Sequence, residues 1–244
     1  MEAINNDAQL TDLGRVIAGL PVEPGLAVAL NESVRLGVPH EMLTLVAMLS
    51  ATESSRVFFS PKGSEEAAKI AQEELKSGFF SDHMDLICLF NKYAGRVPRD
   101  RRDWCTAYFI NGKVMVAADE ARQQLSHALR LIHPGSFGIN YLPLFDYTND
   151  HYARIMRCLQ KGYPRQAASR VNKKFMTLSY PYSCLPVMDS PKLPEVYADI
   201  SVSSSLFGFK PMEVLYHTLH CTNPYAQPTV TATMRTVSDV TNLF

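Results

Sequence analysis

Gly162-Tyr163-Pro164-Arg165-Gln166-Ala167-Ala168-Ser169-Arg170-Val171-Asn172 is where the texture of the chain changes. Before Gly162, apolar residues recur three and four apart, the spacing that gives a helix one buried stripe. From Asn172 onward there are short β-prone runs broken by proline and serine. A run of helices followed by a run of strands predicts an α+β fold, with an N-terminal helical bundle and then a small β-barrel.

Upstream, Thr11 is placed to cap a helix over Asp12 to Leu20, which Pro21 closes. Pro24 opens the next helix, with Leu26, Ala29, Leu30 and Val34 on one face and Gly37 after its end. Glu41 to Ala51 is apolar nearly all round and predicts a buried helix. Ser64 is a candidate cap for Glu65 to Lys76, whose first turn is acidic as the helix dipole prefers. Asp82 starts another helix, with Leu86, Leu89 and Phe90 on one face. Arg96 to Asp103 reads as a charged connector, and Trp104 to Asn111 as an apolar helix. Val114 to Leu131 is the longest candidate, ended by Pro134-Gly135, and Thr148 to Lys161 is a further amphipathic helix. Downstream, the expected strands are Lys174 to Ser179, Val196 to Val202, Glu213 to Cys221 and Thr229 to Thr236. No internal repeat is visible, which argues against a solenoid.

Working outward from the same junction, charge is the next signal. The whole chain carries 24 basic and 24 acidic residues, so its formal net charge of zero gives no warrant for nucleic-acid binding. Locally the balance breaks. His151 to Met188 contains no Asp or Glu, yet holds Arg154, Arg157, Lys161, Arg165, Arg170, Lys173 and Lys174, with Tyr152, Tyr163 and Phe175 nearby. A basic seam with interleaved aromatics suits a phosphate backbone; the competing reading is a solvated helix face followed by a basic linker. Arg99, Arg101 and Arg102 form a smaller cluster that Asp100 and Asp103 interrupt.

The chain offers no catalytic apparatus that its motifs would reveal. It lacks both the phosphate loop of ATPases and the Gly-x-Gly-x-x-Gly dinucleotide fingerprint. It lacks the Gly-x-Ser-x-Gly elbow of hydrolases as well. Asp82-His83 at a helix start reads as structural before it reads as an acid–base pair. His217 and His220, if they lie on one strand, point to opposite faces and cannot share a metal. Cys88, Cys105, Cys158, Cys184 and Cys221 are odd in number, widely spaced and never in Cys-x-x-Cys. That pattern predicts idle thiols in a reducing compartment. No apolar run approaches the roughly 20 residues that span a bilayer, so no membrane partner is expected. Met1 to Asn6 lacks the basic and apolar regions of a signal peptide, and its abrupt start is expected to lie inside a longer protein.

Several segments, in order, resemble the C-terminal region of DEAH-box RNA helicases, the ATP-driven motors of pre-mRNA splicing and ribosome assembly. Leu10-Thr11-Asp12-Leu13-Gly14-Arg15 followed by Leu20-Pro21-Val22-Glu23-Pro24 resembles the start of the helicase-associated domain. Glu41-Met42-Leu43-Thr44-Leu45-Val46-Ala47-Met48-Leu49-Ser50 is close to the family's EILTIVAMLS and is the most specific match. Ser81-Asp82-His83 with Leu86, Trp104-Cys105 through Asn111-Gly112-Lys113, and Ala118-Asp119 with Arg122 and Gln124-Leu125 continue the pattern. Arg157 to Gly162, Ser203-Ser204 with Leu206-Phe207, and Val214-Leu215-Tyr216-His217 complete it. There are departures. Gly112-Lys113 stands where the family has Tyr-Arg, and Ser201-Val202 where it has His-Pro. Glu213 replaces a Trp, Thr218 replaces a Glu, and Ser179 to Ala198 is longer and richer in proline.

The resemblance implies a winged-helix remnant over residues 1–10, a helical ratchet domain over 11–165 and an oligonucleotide-binding (OB) fold over 166–244. It implies an accessory module that holds single-stranded RNA beneath motor domains carried in cis. ATP and magnesium would belong to those absent domains, with no cofactor or metal in this chain and no catalytic residue. A nuclear location and a role in splicing follow from the same resemblance. The expected RNA-facing residues are Lys113, Arg122, Lys173, Lys174 and Thr177, with Ser203 and Ser204 beside them. For Arg122 the competing reading is an ion pair with Asp119 or Glu120. For Lys173 and Lys174 it is protection of an edge strand. The alternative function is a docking module for helicase activators such as G-patch proteins, with little RNA affinity of its own.

Overall fold

A computed structural model of the chain describes every residue except 1, 2, 6, 54, 137, 139–143, 174–177, 186–194, 222–228, 242 and 244. The fold is α+β, with eight α-helices and a closed five-stranded barrel among the described residues. The chain separates into two units: Met1–Lys76 with Met84–Gly162, and Ser77–His83 with Tyr163–Phe244.

The first unit is helical. It comprises α1 (Asp12–Gly19), α2 (Pro24–Leu36), α3 (Pro39–Thr52), α4 (Glu65–Glu73) and most of α5 (Asp82–Ala94), then α6 (Arg101–Ala107), α7 (Gly112–Ile132) and α8 (Asn149–Gly162). Met42 to Leu49 of α3 are all buried, as the absence of a polar face requires. α3 packs on α7, and α2 packs on α8. Thr11 caps α1, its hydroxyl accepting the Gly14 N–H at 3.0 Å. Gly37 ends α2 with φ of 72°, a left-handed conformation that glycine adopts without steric cost. Two local expectations change. Ser64 makes no side-chain cap; the Glu65 carboxylate instead accepts the Gly63 N–H at 2.9 Å. The charged connector is structured, with a 3₁₀ turn over Pro98–Asp100 leading into α6 three residues before Trp104. Its arginines serve the fold: the Arg101 guanidinium lies over the Tyr93 ring at 4.7 Å and pairs with Asp119 at 3.3 Å.

The second unit is the barrel, built from β1 (Ala167–Arg170), β2 (Tyr182–Cys184), β3 (Glu195–Ile200), β4 (Glu213–Cys221) and β5 (Thr229–Asp239) in the order β1-β2-β3-β5-β4. All pairs are antiparallel except β3 with β5. β1 and β2 lie outside the expected runs; they are three or four residues long and too short for alternation to mark them. Of the strand expected over Lys174 to Ser179, residues 174–177 lie outside the described residues.

Along β4 and β5 the inward face changes phase. Val214 and Tyr216 point into the core, then Leu219 and Cys221; opposite them stand Val237, then Met234 and Ala232. Both strands turn over together, so the pairing register is unbroken. The turnover coincides with Thr236, whose φ of 52° is a genuine outlier for a β-branched residue. Such strain persists only where neighbouring contacts over-determine it, and the strap Ser77–His83 supplies them. The Val237 N–H donates to Asp82 Oδ2 at 2.8 Å, and the Asp239 N–H donates to the Phe80 carbonyl at 3.2 Å. Ser81 pairs with Ser238 in an isolated antiparallel bridge.

Candidate nucleic-acid interface

The residues expected to face RNA fall into both units. Lys113 is exposed in the first turn of α7, behind an Asn111 cap whose side-chain oxygen accepts the Lys113 N–H at 3.2 Å. It lines an open groove of about 710 Å³ with Arg101, Arg102, Asn111 and Glu120. Arg122 is placed differently. It is only 7 % exposed, and its Nε donates to the Thr44 hydroxyl at 2.9 Å inside the α3–α7 contact. Asp119, its expected partner in the competing reading, pairs with Arg101. Helical spacing put Arg122 one turn beyond Ala118, which is also buried, and that shared face was the available signal.

In the barrel unit, Lys173 is exposed on the segment after β1, with Nζ 4.5 Å from the Tyr197 ring centroid. Its ammonium pairs with Glu195 at 3.2 Å and also hydrogen-bonds the Tyr197 hydroxyl, which donates to the same carboxylate at 2.7 Å. The Tyr197 and Glu195 hydrogen bonds raise the lysine's pKa, and the Glu195 carboxyl is lowered in return. The edge-strand reading does not suit this part of the barrel, because β1 is paired on both sides. Lys174 and Thr177 lie outside the described residues.

Ser203 and Ser204 lie in the loop between β3 and β4 and organise it. The Ser203 and Ser201 hydroxyls share a hydrogen bond of 2.9 Å, and the Ser204 hydroxyl accepts the Leu206 N–H at 3.1 Å. The loop is anchored from the strap: Asp82 Oδ1 accepts the Ser205 N–H at 2.7 Å and the Ser205 hydroxyl at 2.9 Å.

The structure resolves the Asp82-His83 pair as structural. His83 is 2 % exposed, and its Nδ1 shares a hydrogen bond of 2.7 Å with the Ser238 hydroxyl, itself 2.6 Å from that of Ser81. Both serines are fully buried, so no substrate could reach this Ser–His contact. Burial, with a smaller push from His217, holds the His83 pKa down at about 3. A histidine whose folded pKa is depressed stabilises the protein above its unfolded pKa, and that stability is lost as the pH falls. Between pH 6.5 and pH 5 the loss should be about 2 kcal/mol. Urea unfolding at pH 7 and pH 5 measures it; His83→Gln should flatten the difference, and an unchanged slope would clear His83 of the effect.

Other titratable groups offer no chemistry. Burial pushes the thiols of Cys88 up to about 11 and of Cys158 and Cys184 up to about 12, so they stay protonated. His217 meets the Tyr163 ring edge-on at 5.6 Å, whereas His220 is exposed. Among the described residues no group of three His, Cys, Asp or Glu side chains could hold a metal, and no single helix is long and apolar enough to cross a membrane.

The barrel also presents a feature that no motif announced. Val202, Phe207, Phe209 and Met212 on the β3–β4 connection are exposed, as are Phe80 on the strap and Tyr180 before β2. No family model matches the chain.

Proposed function

We propose that this chain is the C-terminal accessory region of a DEAH-box-like RNA helicase, a grip for single-stranded RNA rather than an enzyme in itself. The observation that carries the proposal is the barrel's strand order, β1-β2-β3-β5-β4, with its parallel β3–β5 pair. That order agrees with an OB fold, in which the face of strands 2 and 3 and the loop between strands 1 and 2 receive oligonucleotides. Here that loop, residues 171–181, carries Lys173, Lys174, Thr177 and Tyr180. The acid-free stretch from His151 to Met188 runs through it. On this reading residues 1–10 are the tail of a winged-helix domain, and 11–165 are the ratchet. ATP and magnesium are held by motor domains in cis, and the work is RNA remodelling in the nucleus, in splicing.

The test is a salt titration of binding to single-stranded RNA. Each phosphate contact contributes about 0.7 to the log–log slope on a single strand. Lys173→Glu with Lys174→Glu should weaken binding and reduce the slope by about 1, with the far-UV spectrum unchanged. A slope near zero in the unaltered chain would sink the proposal and leave docking of an activator protein as the better account. Unchanged affinity in the double variant would move the site away from this loop.

A further inference from the structure

The geometry points to a base-stacking platform on the barrel, formed by Phe207, Phe209 and Phe80 and edged by Lys210 and Arg170. This deepens the RNA-binding reading above and rests on it.

The rings are held outward by the loop itself. Leu206 is fully buried while its neighbours Phe207 and Phe209 are 55 % and 53 % exposed. Two successive turns set that alternation: the Phe207 N–H donates to the Ser204 carbonyl at 3.1 Å, and the Phe209 N–H donates to the Leu206 carbonyl at 3.0 Å. Between them Gly208 has φ of 88°, which a side chain would resist. Asp82 pins the same loop through Ser205. The strap adds Phe80, 50 % exposed, whose ring meets Phe209 at 4.7 Å and 60°. Leaving a large side chain in water forgoes about 1.5–3 kcal/mol of burial, so three exposed phenylalanines on an anchored loop mark a surface that is covered in use.

Charge decides the occupant. Lys210 Nζ stands 4.0 Å from the Tyr180 ring centroid. Arg170 hydrogen-bonds the Lys210 carbonyl, and its guanidinium also reaches the Met212 sulfur at 3.0 Å. The carboxylates nearby are engaged: Asp82 accepts three hydrogen bonds, and Asp199 accepts the N–H groups of Ser179 and Tyr180 at 2.7 and 2.9 Å. Glu213 is the exposed acid beside Met212. Aromatic faces with cations at their edge are how sequence-tolerant single-strand binders hold bases and backbone together. A partner protein with an apolar face would not call for the two cations.

The experiment compares two ligands of equal charge, a short oligouridylate and the matched abasic ribose-phosphate strand, on the 244-residue chain. The unaltered chain should prefer the base-bearing strand. Phe207→Leu with Phe209→Leu keeps apolar bulk but removes the rings. It should weaken oligouridylate binding on the order of tenfold, leaving abasic binding and the salt slope as they were. Salt-dependent binding without preference between the strands would overturn the platform alone. So would a double variant that binds oligouridylate like the unaltered chain; the patch would then belong to a protein partner. Absence of any RNA binding would overturn the platform together with the function proposed above.

Discussion

Asp82→Ala should destabilise the barrel unit by about 3–5 kcal/mol, because hydrogen bonds to an ionised acceptor are each worth about 1.5–3 kcal/mol and a stranded donor adds its own penalty. One carboxylate accepts from Ser205 N, Ser205 Oγ and Val237 N at 2.7–2.9 Å. Alanine strands all three donors at once. It also releases Val237 next to Thr236, whose left-handed φ the neighbouring contacts must hold. The separate costs do not add fully, since a freed loop relaxes toward water. Asp82→Asn should recover only part of the loss. Whichever way the amide turns, its NH₂ group faces either Ser205 N–H or Val237 N–H, a donor against a donor. Amide hydrogen exchange at Ser205 and Val237 reads the effect where it arises. Protection at Val237 unchanged in the alanine variant would show that the strap does not hold the strand.

Gly162→Ala should cost the helical unit about 3 kcal/mol, the upper end for overpacking, although alanine in an open helix position gains about 1 kcal/mol over glycine. A Cβ built at Gly162 stands 2.2 Å from the Gly25 carbonyl oxygen and 3.2 Å from Ala29 Cβ, across the α2–α8 contact. The first obstacle is backbone, which no rotamer change can move. The helices must part, and a contact of buried residues such as Leu26, Ile155 and Leu159 loosens with them. The measurement is direct: Trp104 is the chain's single tryptophan and lies in this unit, so its fluorescence in urea reports helical unfolding. A midpoint at or above that of the unaltered chain would show that propensity wins over the clash.

Parts of the candidate site were legible in residue order and parts were not. Lys113 and Lys173 are exposed where sequence reasoning placed surface cations. Arg122 is buried because α7 packs on α3 through the face that Arg122 shares with Ala118 and Leu125. A charged residue on a buried face gives no compositional signal; only its partner, Thr44, explains it. Asp82-His83 was legible as a structural pair, but its partners were not, since Ser205, Val237 and Ser238 lie more than a hundred residues away. The exposed phenylalanines were hidden for a simpler reason: Ser-Leu-Phe-Gly-Phe reads equally as a strand edge or a core turn until the loop geometry separates Leu206 from its neighbours.

By itself the sequence determined the α+β class, because hydrophobic spacing is a local property that switches from helical to short β-prone runs beyond Gly162. It determined the buried character of α3 and the cap of α1 for the same reason. Only the tertiary structure decided that Ser77–His83 belongs with the barrel, that β4 and β5 turn over together at Thr236, and that three phenylalanines stand out of the core. These features rest on contacts between residues far apart in the chain, where no periodicity carries information and only the closed hydrogen-bond geometry can.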